Sequence, residues 1–445
     1  MIKLLKILIT GIICSFFFFS FEFTFLPGIN TKMMLAALGL VFVFYTLLHN
    51  RDFSASKEFL ILFILCSIVS IISLLSIVYN RTPDTAYVSY IISAAVWLSA
   101  AFVVCCCIRM THKRLDVPLI VNYLIAVCLF QGIIAQVIQD NMAVKSFVNA
   151  YVNQGQMMLD EMGRIYGIGC SLDVGGSRFA VVLVAIAALL YYKRDYYSVG
   201  QMIWLIISFV LITILGNMIA RTTIIGTVIG LLFLIIMFGR IMFRRTNIFS
   251  GHRLLWTWFV ILILAIPISV AIYRSSPNAR TQFRFAFEGF FSLAEKGEWE
   301  TTSTNTLQTM VVWPEELRTW VIGDGYFENS RNDPNYLGNA TDQGFYMGTD
   351  VGYLRFIFYF GVIGLIAITA VMVYTTVIDA RAFPEYKMIF ILGLLVGLIV
   401  WVKVSTDIFP FLSLFAAASY AKREYDPKPE ELEDSDSEDP ETLES

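Results

Sequence analysis

Three arginines stand where an arginine is expensive: Arg178, Arg221 and Arg355 each lie at the edge of a long apolar run. A guanidinium is permanently charged and forks onto the oxygens of a phosphate or carboxylate, and placing it at membrane depth costs about 3 kcal/mol or more. Arg178 opens the run 179–192, Arg221 sits in a tight turn between two runs, and Arg355 lies about one turn into another. Each either snorkels to lipid headgroups and pairs with a carboxylate such as Asp173 or Asp350, or holds an anionic group.

The stretch RTQFRFAFEGFFSLAEKG at 280–297 adds two more arginines in an amphipathic pattern. Arg280, Arg284 and Glu288 repeat at i, i+4, and Phe283, Phe287, Phe290 and Phe291 fill the facing stripe, as in a helix lying in the membrane interface. The pattern fits a surface helix with an Arg284–Glu288 pair, or arginines that reach a phosphate at headgroup level. A third cluster is VIGDGYF at 321–327, followed by TDVGYLRFIFYFGVIGLI beginning at Thr349. Its glycines permit tight turns. Asp350 is either the N-cap of the next helix or a carboxylate that accepts a proton from an incoming hydroxyl.

Other chemistry is poorly supplied. The sequence has no Walker-type or dinucleotide-type glycine run, and Gly175, Gly176 and Ser177 fall short of a nucleophile elbow. His49, His112 and His252 all fall on the side assigned below to the cytoplasm, six of the seven cysteines lie in apolar runs, and Cys170 alone is expected to face outward. No metal, cofactor or nucleic-acid partner is expected. Gly226 with Gly230 and Gly393 with Gly397 read as helix-packing faces.

The elements that must position these residues follow from composition. The chain is 445 residues long, 57% hydrophobic and 15% charged, with a mean hydropathy of +0.70, which places it among membrane proteins. At roughly 20 apolar residues per crossing, the sequence predicts an all-α polytopic protein of about twelve spans: 4–26, 33–48, 59–79, 87–108, 117–138, 179–192, 200–219, 222–239, 254–273, 350–377, 387–402 and 408–420. Glu22 is then the clearest mid-span charge. Lys and Arg alternate across these spans in the sense that puts both termini in the cytoplasm. Arg109, Lys113 and Arg114, Lys193 and Arg194, and Arg240, Arg244 and Arg245 fall inside, while Lys32, Arg81, Arg221 and Lys403 are single bases in short outer turns. Two long outer connections, about 139–178 and 274–349, are expected to be folded and to carry the active surface. Residues 1–423 form the membrane domain. Residues 424–445 hold eleven of the 35 acidic residues and one of the 32 bases, and read as a disordered cytoplasmic tail.

The arrangement resembles the O-antigen polymerase and ligase superfamily, most closely the Wzy-type polymerases of bacterial surface polysaccharides. The likeness rests on about twelve spans with a long outer loop late in the chain, on ARTTIIGTVIGLL at 220–232, on VIGDGYF, and on the re-entry at Thr349. It covers roughly residues 160–375. The resemblance implies a C-type glycosyltransferase-like fold in the bacterial inner membrane. It implies a metal-independent enzyme that joins undecaprenyl-diphosphate-linked oligosaccharides into O-antigen or capsule on the periplasmic face, among membrane lipids and beside a chain-length regulator protein. Matching positions give Arg221, Arg280, Arg284 and Arg178 to the diphosphate and Asp350 to the base. The ligase branch has a histidine in its large outer loop, and here there is none. A lipid-linked oligosaccharide flippase or secondary transporter is the rival from another class, but carriers place charges at the bilayer midplane and few stand there in this sequence.

Overall fold

Apolar runs separated by short polar turns fold as helices because a backbone removed from water must satisfy its own amides and carbonyls. The computed structural model describes residues 2–49, 56–192, 197–243, 248–341 and 344–425. Among them, twelve helices of 14 residues or more follow in chain order. They are α1 (Ile2–Phe18), α2 (Thr31–His49), α3 (Lys57–Asn80), α4 (Tyr90–His112), α5 (Val117–Asp140) and α6 (Leu172–Tyr192), then α7 (Val199–Ile219), α8 (Thr223–Phe243), α9 (Ile248–Ser275), α10 (Gly352–Ala382), α11 (Lys387–Val400) and α12 (Phe409–Tyr425). Six of them, α3 to α7 and α10, are long and apolar enough to cross a membrane. The only sheet among the described residues is a two-residue ribbon, β1 (Glu22–Phe23) antiparallel to β2 (Val152–Asn153). The chain is an all-α, multi-pass membrane protein.

Helix α6 is the most enclosed of the six, with every residue from Phe179 to Leu190 buried against α5, α7, α8 and α11. A Cβ on Gly226 of α8 would run into the Ala180 backbone, so the glycine is what lets α8 lie directly on α6. Side chains set several boundaries. Asp116 caps α5 by accepting from the Leu119 amide at 2.8 Å, and Ser198 with Gln201 forms a capping box on α7.

Short helices occupy the two long connections, at 142–151 and 156–161 in the first and at 277–286, 288–296, 302–309 and 317–322 in the second. The second is stitched to the bundle through a break in α10. At Phe360 and Gly361 the backbone leaves helical geometry, Gly361 at φ +69°, which frees the carbonyls before it. The Phe358 and Tyr359 carbonyls accept from the Asp324 and Gly325 amides at 2.6 and 3.1 Å, and Tyr359 also accepts from the Ser76 hydroxyl at 2.7 Å. Gly323 and Gly325, both at φ +76°, make that approach.

The structure corrects several expectations. The first helix stops at Phe18, and the chain turns back over 19–30, where the Glu22 carboxylate accepts from the Gly28 amide and its backbone pairs with Asn153. Glu22 is therefore no mid-span charge. Helix α6 begins at Leu172, seven residues before the apolar run, so Arg178 stands in its second turn. The stretch 280–297 is two helices broken at Phe287, whose φ of −115° and ψ of 29° end the first. The break separates Arg284 from Glu288, and each finds another partner. Asp350 does not cap α10: Val351 holds that position, and no side chain bonds there. Cys170, in the first long connection, is fully buried. Residues 426–445 of the acidic tail, and Lys193, Arg194, Arg244 and Arg245, lie outside the described residues.

Candidate functional site

A cleft of about 1050 Å³ opens among the long connections, and its two walls have different origins. One wall belongs to the helix bundle: Asp173 in the first turn of α6, Arg221 in the turn between α7 and α8, Asp350 just before α10, and Lys403 just after α11. The other belongs to the short helices at 277–309 and carries Arg284, Phe285, Glu288 and Glu295. Arg164, from the first long connection, also lines it.

Arg221 is held by the way α7 ends. Ala220 is extended, the Thr223 amide returns to the Ala220 carbonyl at 3.1 Å, and the guanidinium is turned into the cleft with 14% of its side chain exposed. Its Nη1 lies 2.6 Å from Glu288 Oε2 without the alignment of a hydrogen bond, so Nε and Nη1 keep buried donors with no directed acceptor. The Arg221 and Arg164 guanidiniums each lie 3.9 Å from the centroid of the same Phe285 ring. Burial lowers the pKa of both, yet a guanidinium stays charged at any ordinary pH. Two cations fixed around one ring, with Arg221 donors to spare, suit a ligand with several anionic oxygens.

Lys403 Nζ lies 2.6 Å from Asp173 Oδ1, which also accepts from the Thr222 hydroxyl. Arg284 Nη2 donates to both Glu295 carboxylate oxygens, at 2.7 and 2.8 Å, in a more exposed pair.

Asp350 faces the same space with one oxygen, Oδ1, buried and without a hydrogen-bond partner. Burial pushes its carboxyl up from 3.8 to about 6, against the opposing pull of Arg355. Arg355 Nη1 is 3.9 Å from Asp350 Oδ1, too far for a hydrogen bond. That guanidinium is a brace: it donates to Ser405 Oγ at 2.8 Å and to the Phe327 carbonyl at 3.2 Å, and it lies 3.8 and 3.3 Å from the Phe327 and Phe345 ring centroids. Asp84, from the turn after α3, accepts from the Phe327 and Glu328 amides at 2.7 Å each. Arg355 and the segment at 327–328, beside Asp350, are thus tied to the turn after α3 and the approach to α12.

Of the residues singled out from sequence, Arg221, Arg284 and Asp350 meet in this cleft. Arg280 does not line it; it is exposed and lies 5.3 Å from the Tyr273 ring. Arg178 is set apart as well, against Phe18 and Phe19 and beside a small void shared with Asp407, and its Nε and Nη1 have no hydrogen-bond partner. Sequence reasoning did not assign Arg164, Asp173 or Lys403 to a site. Lys403 had a signal as a lone base in an outer turn, and Asp173 one as a carboxylate near a costly arginine. Arg164 had none. The chain matches no protein-family model, no curated protein and no solved structure.

Proposed function

We propose that the protein is a metal-independent polysaccharide polymerase that joins undecaprenyl-diphosphate-linked oligosaccharides at this cleft. In this reading about twelve helices span the inner membrane in a C-type glycosyltransferase-like fold, both termini are cytoplasmic, and the cleft faces the periplasm. An acceptor hydroxyl gives its proton to Asp350, and its oxygen attacks the anomeric carbon of the donor sugar. The bond from that carbon to the diphosphate oxygen breaks, and the lipid diphosphate leaves with the electron pair. Arg221 and Arg164 neutralise the developing charge from fixed positions, which lowers the barrier because they need not reorganise during the step. Arg284 and Lys403 adjoin the same space as further cations.

The observation that carries the reading is the pairing in one cleft of two ring-braced guanidiniums with a carboxyl raised to about 6. Such a carboxyl is mostly ionised at neutral pH yet more basic than a free aspartate, as a general base should be. The test uses purified protein in nanodiscs with lipid-diphosphate-linked repeat units and no nucleotide. A ladder of lengthened oligosaccharides with release of lipid diphosphate is expected. Absence of any ladder, or a strict need for nucleotide sugar, removes the proposal.

A further inference from the structure

A second cleft, of about 390 Å³, is built from different residues and different chemistry. Its lining is aromatic and acidic: Trp313, Tyr326, Tyr336 and Tyr346 stand with Glu315, Glu316 and Asp324, and Arg318 is its one guanidinium among the described residues. Trp313 stacks on Trp320 at 6.0 Å and 14° between planes, and the Trp320 indole N–H is fixed on the Pro314 carbonyl at 2.9 Å. The Trp313 plane is therefore held, while 62% of the residue is exposed. Deeper in, Tyr326 stacks with Tyr346 at 5.0 Å, and their hydroxyls donate to Asp333 at 2.7 Å and to Asp324 at 3.3 Å. Arg318 is anchored on Asp324 at 2.9 Å and on the Asn80 side chain. Glu316, 3.3 Å from Arg318, remains 69% exposed.

A preset aromatic plane beside carboxylates and the Asn80 amide fits a ring with C–H bonds on its face and hydroxyls on its edge. Three carboxylates against one guanidinium repel phosphate, so the cleft suits neither a diphosphate nor an anionic headgroup. Its volume is at the small end of ligand pockets. We propose that this cleft binds the sugar rings of a neutral or amino-bearing oligosaccharide, with Trp313 as the stacking platform and Glu316 as a hydroxyl acceptor.

The two clefts adjoin. Met347 lines this one and Asp350 the other, and three residues of chain separate their Cα atoms by at most about 11 Å. Leu307, which lines the charged cleft, packs in one apolar cluster with Tyr326, Tyr336 and Tyr346. An oligosaccharide on Trp313 can thus present its end toward Asp350. That last step, the assignment to the acceptor, rests on the polymerase reading; the saccharide site does not.

The experiment uses whole protein in detergent and a probe without lipid or phosphate. The probe is short oligosaccharides released by mild acid from the surface polysaccharide of cells that carry this protein, with binding followed by calorimetry. Wild-type protein is expected to bind, Trp313→Ala at least about tenfold more weakly, and Glu316→Gln measurably more weakly. Both positions are exposed, so both variants should melt as wild type does. Arg221→Gln, altered only in the charged cleft, should bind the probe as wild type does. No binding by wild type, or equal binding by wild type and Trp313→Ala, overturns the saccharide site. If binding follows Trp313 while nanodiscs yield no ladder, the saccharide site stands and the polymerase falls. A ladder with no binding of free oligosaccharide leaves the polymerase and removes this cleft.

Discussion

The two walls of the charged cleft are built to different standards. On the bundle wall, Arg221 and Asp350 are half-buried or better, keep polar atoms without hydrogen-bond partners, and are located by helix ends that the core holds in place. On the short-helix wall, Arg284 pairs with Glu295 and Lys296 with Glu300, and all four side chains are 43–66% exposed. Exposed pairs are weak and exchange with water and salt, whereas a largely buried ion pair such as Arg221–Glu288 is less screened by water. On the proposed reading the difference assigns roles: the bundle wall carries the charge that must not move during the reaction, and the short-helix wall covers it. Glu288 links the two, since it neutralises Arg221 while also accepting from the Thr302 amide and hydroxyl at 3.2 and 2.7 Å. On the proposed reading, an arriving diphosphate would displace Glu288 from Arg221.

The largest effect is expected at Asp350. Loss of a general base costs about a hundredfold or more in rate, so Asp350→Asn should nearly abolish the ladder in nanodiscs. Stability should go the other way. Burial raises this carboxyl from 3.8 to about 6 in the fold, so its contribution to stability is full at pH below 3.8 and is lost as pH rises through about 6. At neutral pH the ionised aspartate therefore weakens the fold, and Asn should melt at the same or a higher temperature. The wild-type rate should fall as pH drops through about 6. An active Asn variant, or one that melts earlier, would make Asp350 a structural residue and leave the bundle wall without a base.

Next come Arg221 and Arg164. Replacing either by Gln removes a charge-assisted contact worth about 1.5 to 3 kcal/mol, or roughly tenfold to a hundredfold in rate. Lys at 221 should restore part of it, because it keeps the charge and loses the fork. Glu288→Gln should leave the rate close to wild type or raise it, since it frees Arg221 before the ligand arrives. A large loss in Glu288→Gln with none in Arg221→Gln would invert the roles of the walls.

How far this site is legible in the sequence depends on the range of the interaction. Helices announce themselves through apolar runs, and the twelve long helices fall on the twelve runs with ends displaced wherever polar residues continue a helix or a turn cuts one short. Helix α6 starts early because Gly175 and Gly176 pack on Cys170, Ala220 and Thr222 while Asp173 faces the cleft, which no lipid-based ruler can foresee. Phe287 breaks the amphipathic stretch although its pattern is unbroken, and the partners that reward the break lie at a distance in sequence: Arg221 is 67 residues from Glu288, and Glu295 is 11 residues from Arg284. Arg221 and Asp350 were found because an arginine at an outer turn and a carboxylate at a helix entrance are locally unusual. Arg164 was not, because its surroundings, GRIYGIG, read as an ordinary loop and its partner Phe285 is supplied from the far side of the fold.

The smallest effect belongs to the exposed wall and separates the walls most sharply. Arg284→Gln should reduce the rate by at most about fivefold, because the pair it breaks is open to solvent. Salt offers the same comparison without mutation. Raising the ionic strength shortens the Debye length from about 10 Å at 0.1 M to about 3 Å at 1 M, which screens the exposed Arg284–Glu295 and Lys296–Glu300 pairs far more than Arg221 and Glu288, at 14% and 32% exposure. Hydrogen exchange of the short helices at 277–309 should therefore quicken with salt, while the amides of the turn at Arg221 hold their protection. Equal responses on the two sides would mean that the walls move as one body and that Arg284 belongs with Arg221.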